Sequence, residues 1–137
     1  MPHVLTERPD AVQVSVNVPS REELFRAALT GVLEAAYGPA VAEVSDAGRV
    51  VPVQAAGSGD DDLLADLVDD TLRAIRQEDG TLRPPRWLAF DENRVTAHLP
   101  LHSPRAPSRP LELSRAEVDS EEGGWTAVLE LSTATAG

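Results

Sequence analysis

The sequence predicts a single α+β domain, a two-layer sandwich in which two helices cover one face of one mixed β-sheet of about seven strands. Short runs with an apolar residue at every second position predict strands, and two longer runs with apolar residues at three- and four-residue spacing predict helices. The predicted order is strand, helix, two strands, helix and four strands. Because two amphipathic helices cannot cover both faces of so wide a sheet, we expect both helices on the same face. The domain spans residues 1–137.

The first strand and the first helix follow one another directly. In Ala11–Val18, valines alternate with polar residues, which is typical of a half-buried strand. Ser20, followed three residues later by Glu23, has the spacing of a helix capping box. The Gly-Pro pair at 38–39 ends the helix. Its apolar stripe consists of Phe25, Ala28, Leu29, Val32 and Ala36.

The middle of the chain predicts a hairpin and then the second helix. Residues 41–44 and 50–55 are β-rich runs on either side of a turn at 45–48. The aspartates at 60–62 favour a helix start, because negative charge is stabilised at the positive end of a helix dipole. The helix ends at 78–80, and its apolar stripe consists of Leu63, Leu64, Leu67, Val68, Leu72 and Ile75.

Four strands are predicted in the last third of the chain. Residues 87–90 form one strand, and Val95, Ala97, Leu99 and Leu101 form the inner face of the next. Residues 102–110 contain three prolines and are predicted to be a loop with little tendency to order. Residues 111–118 and 125–131 frame a Glu-Glu-Gly-Gly turn and predict a final hairpin.

Composition excludes several kinds of chemistry. The chain has no cysteine, which excludes disulfides, thiolate zinc sites and cysteine nucleophiles. All 12 of its cationic residues are arginine, so lysine Schiff bases and P-loop lysines are excluded too. The formal net charge of −11 disfavours direct nucleic-acid binding and favours a basic protein partner or a cation.

The sequence also predicts where the protein acts. No apolar run approaches the ~18 residues of a membrane-spanning helix, so no membrane association is expected. Residues 1–10 contain no apolar signal-peptide core, and we therefore expect a cytoplasmic location.

Four stretches resemble, in order, the motifs of the archease family, small proteins that assist the tRNA-splicing RNA ligase. They are RPDAVQVSVNVPSREELFRAA at 8–28, LLADLVDDTL at 63–72, ENRVTAHLP at 92–100 and GGWTAVLELS at 123–132. The resemblance implies an archease fold, no catalysis of its own, a divalent cation (Ca²⁺, Mg²⁺ or Mn²⁺) and an RNA ligase as partner. The alternative is a diverged archease scaffold that serves as a generic protein-interaction module with an unknown partner and no metal.

The resemblance also implies a metal site between the first and last strands, where the family has two acidic positions. Asp10 matches the first position, but the second falls on Ser132, and two family histidines fall on Glu7 and Ser114. Asp10 is therefore either a turn residue or a metal ligand aided by the Ser132 hydroxyl and the Thr133 carbonyl. Hard cations require several oxygen ligands, and serine cannot supply the charge of a carboxylate. Our hypothesis is that metal affinity is much reduced or absent.

The densest charge in the chain lies on the second helix. Four of its aspartates share one face by their spacing, opposite the leucine stripe. This face is simply solvated, a docking surface for an arginine- or lysine-rich partner, or a site for a bound cation. The candidate partner-binding residues are Asp62, Asp66, Asp69 and Asp70.

Nothing in the sequence indicates catalysis, and we expect that the protein is not an enzyme. His3, His98 and His102 do not have the spacing of metal ligands, and no Gly-x-Ser-x-Gly nucleophile motif occurs. We interpret Trp87 and Trp125 as packing residues of strands.

Overall fold

The structure is a computed structural model, and it describes residues 3–38, 49–85, 88–91, 93–102 and 108–133. Along the chain, its elements are β1 (His3–Arg8), β2 (Ala11–Val18), α1 (Arg21–Tyr37), β3 (Arg49–Ala56), α2 (Asp60–Gln77), β4 (Thr81–Leu82), β5 (Leu88–Asp91), β6 (Arg94–His102), β7 (Leu111–Glu121) and β8 (Gly124–Thr133). The predicted α+β class with two helices is confirmed.

The strands of the described residues form two sheets, and not one mixed sheet of about seven strands as predicted. The first sheet has the order β1-β2-β8-β7, and the second has β3-β6-β4 with β5 also paired to β6. Every pairing among the described strands is antiparallel. β3 and β7 are edge strands of the two sheets, and α2 packs against both of them. Helix α2 thus lies over the seam between β3 and β7, where a single continuous sheet was predicted.

Two strands were missed. β1 has only a weak apolar alternation, and it is placed by the two-residue turn at Pro9–Asp10, which pairs Arg8 with Ala11. β4 has two residues, which is too short for any periodicity. The predicted strand at 41–44, its turn at 45–48 and Trp87 lie outside the described residues, as does the stretch 103–107 of the predicted loop.

Helix α1 lies on the apolar face of the first sheet. The Ser20 hydroxyl accepts a hydrogen bond from the Glu23 amide at 3.3 Å, which confirms the predicted cap. All five residues of the predicted stripe are buried. A Cβ at Gly31 would lie 2.5 Å from a methyl group of buried Val14, so glycine allows the helix to approach β2 this closely. The helix ends at Gly38, whose φ of 89° is in the left-handed region.

The first predicted strand and the last strand are neighbours, as the resemblance implies. β2 pairs with β8 from Ala11 opposite Ser132 to Val18 opposite Trp125. The valines of β2 and the leucines of β8 point into one core, which α1 covers. Neither described helix combines the length and apolar character that crossing a bilayer requires.

Candidate functional site

The two sets of residues singled out by the sequence lie in different parts of the fold. Asp10 lies at a corner of the first sheet, in the turn between β1 and β2. Its main-chain carbonyl accepts a hydrogen bond from the Thr133 amide at 3.0 Å, so the turn is joined to the end of β8. Asp10 is exposed. Asp10 thus lies in a turn, as predicted, and its role as a metal ligand stays a prediction.

The positions that the resemblance assigns to a histidine and a second acid come into contact at this corner. The hydroxyls of Ser114 in β7 and Ser132 in β8 form a hydrogen bond with each other. The β7–β8 pairing is irregular between Leu113 and Arg115, so Ser114 has no partner in the register, and Glu112 is the residue opposite Ser132. Ser132 follows buried Leu131, so the hydroxyl pair lies on the face of the sheet away from the core. Asp10, Ser114 and Ser132 therefore belong to one corner.

The residues of this corner do not fit the divalent cation that the resemblance implies. Ca²⁺ takes six to eight oxygen ligands, commonly several carboxylates among them, and its affinity follows their charge. The corner offers the Asp10 carboxylate, two neutral hydroxyls that are already bonded to each other, and the exposed Glu112, which is paired with Ser132. Across the part of the chain that the structure describes, no three histidine, aspartate or glutamate side chains are grouped so that they could hold a metal.

An arginine that sequence analysis did not single out joins this corner to helix α1. The Arg109 amide donates to the Ala36 carbonyl at 3.0 Å, and its Nε donates to the Ala35 carbonyl at 2.8 Å. Its guanidinium also forms an ion pair with Glu7 in β1. A cation is favourable at the negative end of a helix dipole. Arg109 lies 74 residues from Ala35, so no local pattern could have revealed the contact.

The acidic face of α2 is used partly inside the fold. Asp66 accepts a hydrogen bond from the Ala56 amide at 3.0 Å, and Asp70 accepts one from the Gln54 amide at 2.9 Å. Both amides belong to β3. These carboxylates satisfy backbone donors on a strand edge, where a neighbouring strand would otherwise bind.

The same helix also reaches the edge of the other sheet. Asp61 accepts a hydrogen bond from the Val118 amide of β7 at 3.2 Å. Carboxylates of α2 thus contact edge strands of both sheets across the seam. Neither a solvated face nor a docking surface describes these residues completely.

A groove of about 880 Å³ lies over the second half of α2, between β3 and β7. Three of the four candidate residues, Asp66, Asp69 and Asp70, line this groove. Asp70 also forms an ion pair with Arg73. Asp62 is exposed on the first turn of the helix. The groove is further lined by Pro52, Gln54, Leu72, Arg76, Leu111, Glu112 and Leu113.

Asp69 is held in an unfavourable electrostatic environment. Partial burial raises its pKa, the neighbouring charge of Asp66 raises it further, and Arg76 lowers it. An ionised Asp69 is therefore less stable in the folded protein than in water. A cation that entered the groove would relieve this repulsion.

The remaining sequence candidates within the described residues lie in strands. His3 is buried in β1, and its Nε2 lies 2.9 Å from a carboxylate oxygen of Glu34. His98 and His102 lie in β6. Trp125 is partly buried against the core, which agrees with its interpretation as a packing residue.

Comparison with known proteins supports the architecture only. No family model matches the chain, and no curated protein matches it significantly. The solution structure of protein 1598 from Methanobacterium thermoautotrophicum superimposes with a TM-score of 0.72. The match covers 96% of this chain and 98% of that one at 15% sequence identity. The two proteins share a fold.

Proposed function

We propose that this protein is an archease-like accessory protein that binds a cytoplasmic RNA ligase and assists it in tRNA splicing or RNA repair, without catalysis of its own. The observation that carries the proposal is the order of the four archease-like stretches. They coincide with the β2–α1 unit, α2, β6 and β8 of a fold shared along nearly the whole chain with another protein.

The ligase would dock on α2 through the candidate aspartates that form no hydrogen bond with the edge strand β3. Asp66 and Asp70 already accept backbone hydrogen bonds from β3. Asp62 and Asp69 are exposed, and the charge of Asp69 is destabilised in the free protein. A lysine or arginine of the partner would therefore gain most at Asp69, because it would remove an existing repulsion as well as form an ion pair.

A second candidate function is a generic interaction module that has kept the scaffold and lost the ligase. The neutral Ser114–Ser132 pair favours this alternative, because it departs from the charged ligand set of the family. The two functions differ in what the host genome must contain. An RNA ligase encoded in the same genome is required by the first function and not by the second.

Binding and turnover assays with the host's RNA ligase test the first function. We expect the wild-type protein to bind the ligase at micromolar concentration and to increase the product formed per ligase molecule. The D62A/D69A variant should bind at least about tenfold more weakly, since each lost ion pair removes part of the attraction. D119A/E121A is the matched control, because it removes two exposed acids of the β7–β8 hairpin. Absence of both binding and stimulation would reject the proposal.

A further inference from the structure

We infer that this chain closes the Asp10 corner with a serine–serine hydrogen bond in place of a divalent cation, and that it therefore acts without metal. The observation behind the inference is the direct contact between the Ser114 and Ser132 hydroxyls across β7 and β8. They stand where the resemblance places a histidine and the second acid. The end of β8 lies beside the β1–β2 turn, because Ser132 pairs with Ala11 and the Thr133 amide donates to the Asp10 carbonyl.

The chemistry of the two hydroxyls explains why the pair needs no ion. The resemblance places a histidine at 114 and an acid at 132, and a carboxylate there has a negative charge that a cation can neutralise. A serine hydroxyl has one donor and two acceptor sites, so two facing serines satisfy each other. The serine pair is neutral, and its hydroxyls bond to each other without an ion.

The rest of the corner is also held without an ion. The Thr133 amide joins β8 to the Asp10 carbonyl. Glu7, at the position of another family histidine, is paired with Arg109, which in turn caps α1. Each position has thus acquired a hydrogen bond or an ion pair within the chain. Of the two acidic positions that the resemblance assigns to the metal site, only Asp10 still has a carboxylate, and a single carboxylate does not make a Ca²⁺ site.

Calorimetric titration of the isolated protein with Ca²⁺, Mn²⁺ and Mg²⁺ tests this inference. We expect no 1:1 binding at millimolar metal. The S114D/S132D variant, which places two carboxylates beside Asp10, should gain 1:1 binding that is at least about 100-fold tighter than any binding by wild type. D10A added to that variant should weaken the binding again. The control S15D/S120D adds the same charge elsewhere on the first sheet and should gain none.

Two results would overturn the inference. One is 1:1 binding by the wild-type protein that D10A abolishes. The other is a folded S114D/S132D variant, verified by circular dichroism, that binds no metal. The wild-type titration decides the first result even if the double variant does not fold.

A thermodynamic cycle tests the hydroxyl pair independently of metal. If the pair is a mutual bond, S114A and S132A should each lower the Tm, and the double variant should lower it by little more than either alone. Strictly additive losses would contradict the bond. Because these measurements use the protein alone, their failure is distinguishable from failure of the proposed ligase function.

Discussion

The two helices have nearly the same length, 17 and 18 residues, but they are held in place by different interactions. Helix α1 packs an apolar stripe on one sheet, and its exposed acid Glu22 pairs with Arg26 of the same helix. Helix α2 also has a buried apolar stripe, but its acids reach out to backbone amides of β3 and β7. Acidic side chains of α1 thus pair within the helix, as Glu22 does, or with the sheet that the helix covers, as Glu34 does with His3, whereas those of α2 contact edge strands of both sheets.

This difference divides the acidic face of α2 into two groups. Asp66 and Asp70 stabilise the seam between the sheets, and Asp62 and Asp69 are the group proposed to meet a partner. Charge density alone therefore does not identify a docking surface. The carboxylates with a backbone partner must first be set aside.

The largest expected losses of stability are similar for the two helices, because both have a buried apolar stripe. Phe25 of α1 is fully buried and meets Phe90 edge-to-face at 5.4 Å. F25A should lower the free energy of unfolding by about 3–5 kcal/mol, and L64A in α2 by about 2–5 kcal/mol. Urea unfolding measures both.

V4A is the control for these core substitutions. Val4 is 54% exposed, so its truncation should change stability by less than about 0.5 kcal/mol. A loss below about 1 kcal/mol in F25A would show that α1 is not anchored in the core.

The strand-edge contacts of α2 should give the next largest effect. D66A/D70A removes two acceptors from β3, and we expect a loss of about 1–2 kcal/mol after allowing for solvent exposure and for the better helix propensity of alanine. E22A in α1 removes an exposed acid of a local pair and should cost less than about 0.5 kcal/mol. Equal losses in the two variants would remove the distinction between the helices.

Substitutions at the N-caps of the two helices should change the free energy of unfolding in opposite directions. The hydroxyl of Ser20 caps α1, whereas the N-cap of α2 is Gly59, which has no side-chain cap. S20A should lower the free energy of unfolding by about 1 kcal/mol, and G59S should raise it by a few tenths of a kcal/mol at most. Destabilisation by G59S would indicate that α2 begins in a backbone conformation that serine cannot adopt.

The smallest effect concerns the pH dependence contributed by Asp69. Its folded-state pKa lies above the ordinary value of 3.8, so the folded state binds this proton more tightly than the unfolded state does. Asp69 therefore lowers stability at neutral pH, and this loss disappears as the pH falls through the raised pKa to below 3.8. D69N should have a slightly higher Tm than wild type at pH 7, with no difference at pH 3.5. A difference in Tm between D69N and wild type that grew toward low pH would contradict this prediction.

Local patterns predicted the parts of the fold that local forces determine. The alternating valines of β2, the capping box at Ser20 and the two apolar stripes each gave an element in its observed place. The division into two sheets was not predictable, because it depends on α2 filling the seam between β3 and β7. Strand alternation gives the faces of a strand but does not specify its neighbours.

The candidate site was predictable only in part, because it also depends on contacts between residues that are distant in the sequence. The resemblance grouped Asp10 with Ser114 and Ser132, and the structure brings the three positions to one corner. It could not reveal that the two serines bond to each other. The roles of Asp66 and Asp70 depend on contacts with residues 10 and 16 positions away, across a loop.

The most direct test of this division is to measure stability and ligase affinity side by side in D62A/D69A and D66A/D70A. We predict that D62A/D69A binds the ligase at least about tenfold more weakly while its Tm is equal to or above that of wild type. D66A/D70A should show the loss of Tm. If D62A/D69A lost stability and kept full ligase affinity, the assignment of the two groups would be contradicted.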